Sequence, residues 1–392
     1  MRERLHAGVR HLSREGRARA RGSEARTRPS HGSFTRDHHE RRNGRCEPRG
    51  ASDARERGLP MRREIRTCLL FVTLGTARRI RALTELLEPP FHPGVLCPHF
   101  IVFAESADPK DCLEDDEVPP GDERLLLVTT RTRDFLPEEI GTLEMMRETE
   151  KAVSKAWRSI FPPEQPDLTP DFFVQIKCPL LTPARIAEAA SRGKTCVTDD
   201  CYRSMALSRG ASSLGAALSR DDPLEFLTDT NGIILSTKVT KPGDIEQEHI
   251  CMDTEDAGSK FYSNFVSSSA GVELMHCEIL IIGNGPDSRS RHKVSCGFMR
   301  DAIDIDGVKA CVERLGGEKI VTVLAKADPA AFVRGRRTTQ LSDSDIHPTR
   351  HARAAVGGVV AAATGDPRVY VSGGAEHQGP SGGGSMCAIS TI

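Results

Sequence analysis

The sequence predicts a mixed α/β chain, and three observations lead there. Short apolar runs of strand length alternate with longer amphipathic segments from about residue 121 onward. The order strand, lysine, helix, strand, serine occurs twice, as an internal duplication would leave it. Hydrophobic residues make up 38% of 392, enough to bury a core in two or three domains.

Each element has its own local reason. Leu125 to Thr129 (LLLVT) is an apolar run suited to a buried strand. Leu143 to Ile160 is charged, contains alanine and is amphipathic, so it reads as a helix. Phe172 to Lys177 (FFVQIK) reads as a strand, and Thr182-Pro183 opens a helix with a capping residue followed by proline. The Asp199-Asp200 pair should start a further helix towards Leu218. Glu278 to Ile282 (EILII) is a strand, Asp301 to Leu315 a helix, and Ile320 to Lys326 a strand. Ser342 to Asp345 looks like a cap for a helix reaching about Thr364. Arg368 to Val371 is the last strand and runs into a glycine-rich turn. Residues 220–260 carry no clear period and read as an inserted loop.

Composition excludes several classes. No apolar run approaches the ~18 residues of a membrane-spanning helix, and the N-terminus has arginines where a signal peptide needs apolar residues. The 12 cysteines include no C-x-x-C pair, which argues against a zinc site or disulfide framework and for reduced thiols in the cytoplasm. Aromatics at 5% are too sparse for a nucleic-acid stacking platform. The net charge of −1 hides a split. Residues 1–66 hold 19 arginines, nine acidic residues and no lysine, without hydrophobic periodicity, and read as disordered. A reading frame shifted in GC-rich DNA, a solvated tail and a basic arm for a polyanion are the three readings of that stretch.

The duplicated pattern carries the chemistry. Ser269-Ala270-Gly271-Val272-Glu273 and Ser372-Gly373-Gly374-Ala375-Glu376 both read Ser, small, Gly, apolar, Glu, each after a short extended run. Upstream of each, an apolar strand ends in lysine, at Lys177 and at Lys326. A serine on a small-residue turn can be approached closely, with backbone N–H groups ready for an oxyanion. A lysine at the end of an apolar strand is a candidate for a desolvated amine that can deprotonate a neighbouring serine. Singly, either feature is more often a plain turn or a solvated lysine; the double occurrence is the argument.

Other candidates in the chain are weaker. Gly374 to Gly384 (GAEHQGPSGGG) lacks the Gly-Lys-Ser/Thr ending of a phosphate loop. His347 and His351 stand four apart on a helix without a third ligand, so they read as surface histidines. Cys196 and Cys201 read as structural.

The strings FVQIKCPLLTPARI, YRSMALSRGASSLG, SSSAGVEL, VRGRRTTQLSDSD, TRHARAAVGG and VYVSGGAEHQGPSGGG together resemble the ring-opening amidohydrolase family of cyanuric acid hydrolase and barbiturase, over about residues 91–392. The resemblance implies a three-fold pseudo-symmetric repeat of α/β domains around a central β-barrel, each domain giving one lysine, one arginine and one serine. Residues 67–120 would be a remnant of the first repeat, 121–286 the second with its inserted loop, and 287–392 the third. It further implies Ser269 as nucleophile and Lys177 as its base, with Arg209, Ala270, Lys326, Arg353 (Arg350 the nearby alternative), Ser372 and Gly373 around the substrate. Arginine suits oriented contacts to carbonyls of a flat ring. A structural Mg²⁺ or Ca²⁺ is implied on Asp328, Ala375, Gln378, Gly379, Pro380 and Gly383, where the family usually has glutamate at the position of Asp328. The implied partner is a small cyclic imide or ureide, with neither nucleic acid nor membrane, and the implied assembly is a homotetramer.

The departure from the family lies upstream. Gly94 to Phe100 (GVLCPHF) matches the end of a first-repeat region, but Pro89 to Pro93 (PPFHP) holds no serine, lysine or glutamate. Phe34-Thr35-Arg36 echoes a family arginine motif at too great a distance from Pro98. The expected activity is opening of cyanuric acid. Barbiturase activity, a non-catalytic remnant and a basic-arm nucleic-acid binder are the alternatives.

Overall fold

The computed structural model describes residues 7–12, 69–71, 94–97, 100–105, 112–121, 123–160, 171–219, 245–247, 250, 262–285, 288–316 and 318–392. The chain begins with strands β1 (Ala7–Leu12), β2 (Leu69–Phe71), β3 (Phe100–Glu105) and β4 (Arg124–Arg131), then helix α1 (Leu143–Ile160). Next come β5 (Phe172–Pro179), α2 (Pro183–Ser191), α3 (Cys201–Ala217), β6 (Val266–Gly271), β7 (Glu278–Gly285) and β8 (His292–Met299). The last part holds α4 (Ile305–Glu313), β9 (Ile320–Ala327), the short β10 (Phe332–Val333) and β11 (Arg336–Arg337), α5 (Pro348–Thr364), β12 (Tyr370–Gly373) and β13 (Gly384–Thr391).

Caps explain most helix starts. Thr182 accepts the Arg185 N–H at 3.3 Å ahead of Pro183, and Asp200 accepts the Tyr202 N–H at 2.7 Å. Two expected starts move. The helix expected from Asp301 opens at Ile305, because Asp304 accepts the Gly307 N–H and thereby ends the preceding turn. Ser342 to Asp345 does not cap α5: Asp343 instead accepts the Asp345 N–H at 2.7 Å in a turn of its own. Pro348, which has no N–H to satisfy, takes the first turn of the helix, and His347 is the cap.

Two four-stranded sheets share one plan. Their orders are β4-β7-β5-β6 and β8-β13-β9-β12. In each, the first three strands are successively antiparallel and the last pair is parallel. The parallel registers set Lys177 beside Ser269 and Lys326 beside Ser372. A third sheet, β1-β3-β2, is antiparallel on one side of β3 and parallel on the other, and does not repeat that plan. Its β1 lies inside the arginine-rich stretch read as disordered; backbone pairing with β3, not a hydrophobic pattern of its own, makes it a strand. The serines also sit differently from expectation. Ser269 and Ser372 lie within β6 and β12, not on the turns after them.

Three clusters form the core. One packs the β4–β7 sheet on α1 and α3 through residues such as Val174, Ile176, Met146 and Leu214. The second packs the other sheet on α4 and α5 through Val323, Ala325, Val308 and Val356. The third joins the two sheets to each other: Leu125, Phe173, Leu280 and Ile282 meet Val294, Leu324, Tyr370 and Ile389, with Ile101 and Phe103 of β3 alongside. The sheets therefore meet through side chains. Among the described residues no strand pairing joins them, so the central barrel expected from the resemblance is not closed by hydrogen bonds; the sheets are open. Among the described residues no helix is long and apolar enough to cross a membrane. Cys178, Cys196, Cys201, Cys277, Cys296, Cys311 and Cys387 are free thiols.

Candidate active site

Period two decides where the lysines and serines point. Along β5, Phe172, Val174, Ile176 and Cys178 face the helices, so Phe173, Gln175 and Lys177 face the other sheet. Along β9, Val323, Ala325 and Ala327 face helices, which leaves Leu324 and Lys326 on the inter-sheet face. In β6, Val266 packs on the helix side, so Ser269 faces inward; in β12, Tyr370 and Ser372 do the same, opposite Val371. Both lysine–serine couples thus share the face where the two units meet.

The two couples differ in detail. Lys326 is fully buried and donates to the Ser372 Oγ at 2.8 Å. It also donates to the main-chain carbonyl of Ser268, the residue before Ser269 in the other unit. Burial first, and then the charge of Arg209, hold its ammonium well below the usual lysine range. Lys177 is half-buried, with its Nζ 3.5 Å from the Glu273 carboxylate. Ser269 and Ala270 are half-buried as well, whereas Ser372 is 6% exposed.

Arg209 comes from α3 and crosses to the other unit. Its Nε and Nη2 each donate to Glu376 at 2.7 Å, a bidentate pair. Burial alone would raise the Glu376 carboxyl, but the Arg209 charge and hydrogen bonds hold it down to about 2. Gly374, in the left-handed region at φ +79°, leaves the space that the guanidinium fills; any Cβ there would collide with it. Arg353, half-buried on α5, lies against Gly373 with its Nε 3.4 Å from the Thr349 carbonyl, while Arg350 is exposed. Of those two, Arg353 is the one packed on Gly373.

The glycine-rich loop braces both units. The Gln378 side chain accepts the Ser268 N–H at 2.6 Å and donates to the Glu376 carbonyl at 3.0 Å. Asp328, 3% exposed, accepts the Ala375 N–H at 3.3 Å. The carbonyls of Ala375, Pro380 and Gln378 accept the N–H groups of Gln378, Gly383 and Ser385 within 2.9–3.0 Å. Each carbonyl retains a second lone pair for a cation. Among the described residues no group of three or more His, Cys, Asp or Glu could hold a metal, so the donors on offer are one carboxylate and main-chain oxygens. That hard-oxygen set fits Mg²⁺ or Ca²⁺. The Gln378 side-chain oxygen is engaged by the Ser268 N–H and its amide nitrogen by the Glu376 carbonyl.

Sequence reasoning gave no role to Glu376, Glu273, Ser268 or Gln378 as a brace. The signal was present for the two glutamates, which close both copies of the repeated motif. His351 bonds Asp343 at 2.9 Å and His347 caps α5, in keeping with surface roles. Phe34 to Arg36, Pro89 to Pro93 and most of residues 220–260 lie outside the described residues.

Comparison with known proteins places this geometry. A model of the amidohydrolase ring-opening protein family matches residues 91–391. The cyanuric acid amidohydrolase of Pseudomonas sp. (strain ADP) is 43% identical over 305 residues, which span 76% of this chain and 75% of that protein. A cyclic amide hydrolase of Azorhizobium caulinodans is 39% identical over 309 residues, 76% of either chain. A solved structure described as "Cyanuric acid hydrolase: evolutionary innovation by structural concatenation" is similar with a TM-score of 0.64 and 39% identity, covering 80% of this chain and 82% of that one.

Proposed function

This chain belongs to the ring-opening amidohydrolase family, and from that premise we propose that it hydrolyses one ring C–N bond of cyanuric acid, with Ser269 as nucleophile and Lys177 as its base. The observation that carries the reading is the shared inter-sheet face, on which both lysine–serine couples lie beside each other. A nucleophile has to meet its substrate. Ser269 and Lys177 are partly exposed, with 19% of the Lys177 side chain open, whereas Lys326 is fully buried and Ser372 is 6% exposed. Ser372, oriented from within the wall by Lys326, then offers its hydroxyl to a ring carbonyl, with Arg209 and Arg353 as further substrate-binding groups.

In this mechanism the Ser269 Oγ bonds to a ring carbonyl carbon as its proton passes to the Lys177 amine. The Glu273 carboxylate, 3.5 Å away, meets the ammonium that forms. Collapse of the oxyanion breaks the ring C–N bond, and the ring nitrogen takes the proton back from Lys177. Water then cleaves the acyl-enzyme, giving carboxybiuret, which loses carbon dioxide to biuret. Ala270 and Gly373 contribute through their main chain beside the substrate. Three similar α/β units around a pseudo-threefold axis form the architecture of this proposal, with residues 67–120 as the remnant of the first, 121–286 as the second and 287–392 as the third. The common strand order of the two sheets supports it.

A structural Mg²⁺ or Ca²⁺ would be held by Asp328 and the main-chain oxygens of Ala375, Gln378, Gly379, Pro380 and Gly383. When bound it would neutralise the buried Asp328 and pin the loop that follows Ser372. The cytoplasm, where thiols stay reduced, suits the free cysteines. A homotetramer rests on the family resemblance alone.

One observation favours a second reading. Lys326 donates to the Ser372 Oγ at 2.8 Å, and a base so placed would make Ser372 the nucleophile. Cyanuric and barbituric acid turnover by Ser269→Ala and Ser372→Ala separates the cases. Ser269→Ala should lower turnover by about 10⁴-fold or more. If it stays active while Ser372→Ala is dead, the assignment belongs to the third unit. Absence of ring opening by the unaltered protein on either substrate would leave a non-catalytic remnant.

A further inference from the structure

The geometry points to Glu376 as the positioning residue for substrate recognition: from the third unit it fixes the guanidinium of Arg209, which the second unit supplies. The inference rests on the reading of Arg209 as a substrate-binding group. A guanidinium presents five N–H bonds in a rigid fork. The Nε and one Nη2 bond are spent on Glu376 at 2.7 Å each, so the plane of the group is set, and the remaining edge is the one a ring carbonyl would take. Gly374 closes one face of the guanidinium by close approach. The main chain of Glu376 is held in turn, because its carbonyl accepts the Gln378 amide at 3.0 Å while that same side chain holds the Ser268 N–H. One short loop therefore sets both the arginine and the strand that presents Ser269.

The other copy of the motif sharpens the assignment. Glu273 stands at the same step after its serine, yet it is half-exposed and faces Lys177 of its own unit at 3.5 Å. Of these two glutamates, it is Glu376 that reaches an arginine across the boundary between the two sheet units. A rotated or freed Arg209 would meet the ring with its fork misaligned, and a misplacement of about 1 Å can cost roughly 100-fold in rate.

The test is a set of variants in the full chain: Glu376→Gln, Glu376→Asp, Arg209→Met and the double change Arg209→Met with Glu376→Gln. Ring opening of cyanuric acid is followed at several substrate concentrations. Glu376→Gln should raise KM about tenfold or more and lower kcat/KM by about 10- to 100-fold. Glu376→Asp, which restores the charge, should recover part of the loss. The double variant should be no worse than Arg209→Met alone, because Glu376 acts through that arginine. Losses that add in the double variant, or a fall in kcat that merely tracks the folded fraction with KM unchanged, would overturn the proposal. Where the unaltered protein opens neither cyanuric nor barbituric acid, the functional reading fails on its own, and a crystal structure of Glu376→Gln still decides this one. An Arg209 guanidinium found in an unchanged place would refute it; a displaced one would support it.

Discussion

At the scale of single residues, the site is a set of buried charges kept in balance. Arg209 and Glu376 are 11% and 17% exposed, so each depends on the other; removal of one leaves the partner's charge in a dry place. The pair makes a pH prediction whose sign follows from the carboxyl. In the folded chain the Glu376 carboxyl sits at about 2, below its ordinary 4.5: burial opposes this, and the Arg209 charge outweighs it. A depressed carboxylate stabilises the fold above its unfolded value and loses that contribution as pH falls towards the folded one. The unaltered protein should therefore lose up to about 3 kcal/mol of unfolding free energy from this group as pH falls from about 4.5 to about 2. Glu376→Gln should lack that share of the slope. Urea unfolding at stepped acid pH measures it, and parallel curves for the two proteins would contradict it.

At the scale of elements, close helix contacts hold the floor of the site. α3 carries Arg209, and its other contacts decide how firmly that arginine is aimed. Gly215 of α3 packs directly on α1, where an added Cβ would drive into the Met146 carbonyl oxygen and crowd Thr149. Both are backbone or β-branched groups that cannot rotate away. Gly215→Ala should cost about 1–3 kcal/mol despite the better helix propensity of alanine, and should weaken cyanuric acid turnover through α3. An unfolding free energy equal to that of the unaltered chain would show that α1 can yield. Gly210, further up the same helix, meets the Ile250 carbonyl in the same fashion.

Whole-molecule behaviour depends on the layer between the sheets. Phe173 is fully buried there, on the same face of β5 as Lys177, and packs in one cluster with Leu324 and Ile389 of the other unit. The layer that binds the two units together is thus the layer that presents the lysines and serines. Phe173→Ala should destabilise the protein by about 3–5 kcal/mol and lower ring opening at the same time. Calorimetry of the unaltered protein should give one transition for the two sheet units. Two well-separated transitions, with turnover lost in the second alone, would show that the units fold independently.

Much of this was legible in the chain itself. The strands and helices were marked by apolar runs, by Thr182-Pro183 and by Asp200, since local propensity and capping act over a few residues. Lysine and serine pairs were visible as a repeat, and period-two alternation alone put each on one face of its strand. β8 and β13 escaped notice, because mixed strands such as HKVSCGFM and GSMCAIST gain their burial from neighbours far away in sequence. The start of α5 was misplaced because two rival caps lie within six residues, and only the folded turn at Asp343 shows which one is used. Sequence alone, then, determined which residue types carry chemistry and in what order. Tertiary structure decided which of them touch: that Lys326 reaches the neighbouring unit's Ser268 carbonyl, that Arg353 packs on Gly373, and that Glu376 grips Arg209. Those contacts span 58 and 167 residues in the first and last cases, and no local rule of propensity or spacing acts over such distances. They exist because two sheets bury their inner faces on each other, and that burial is a property of the whole chain.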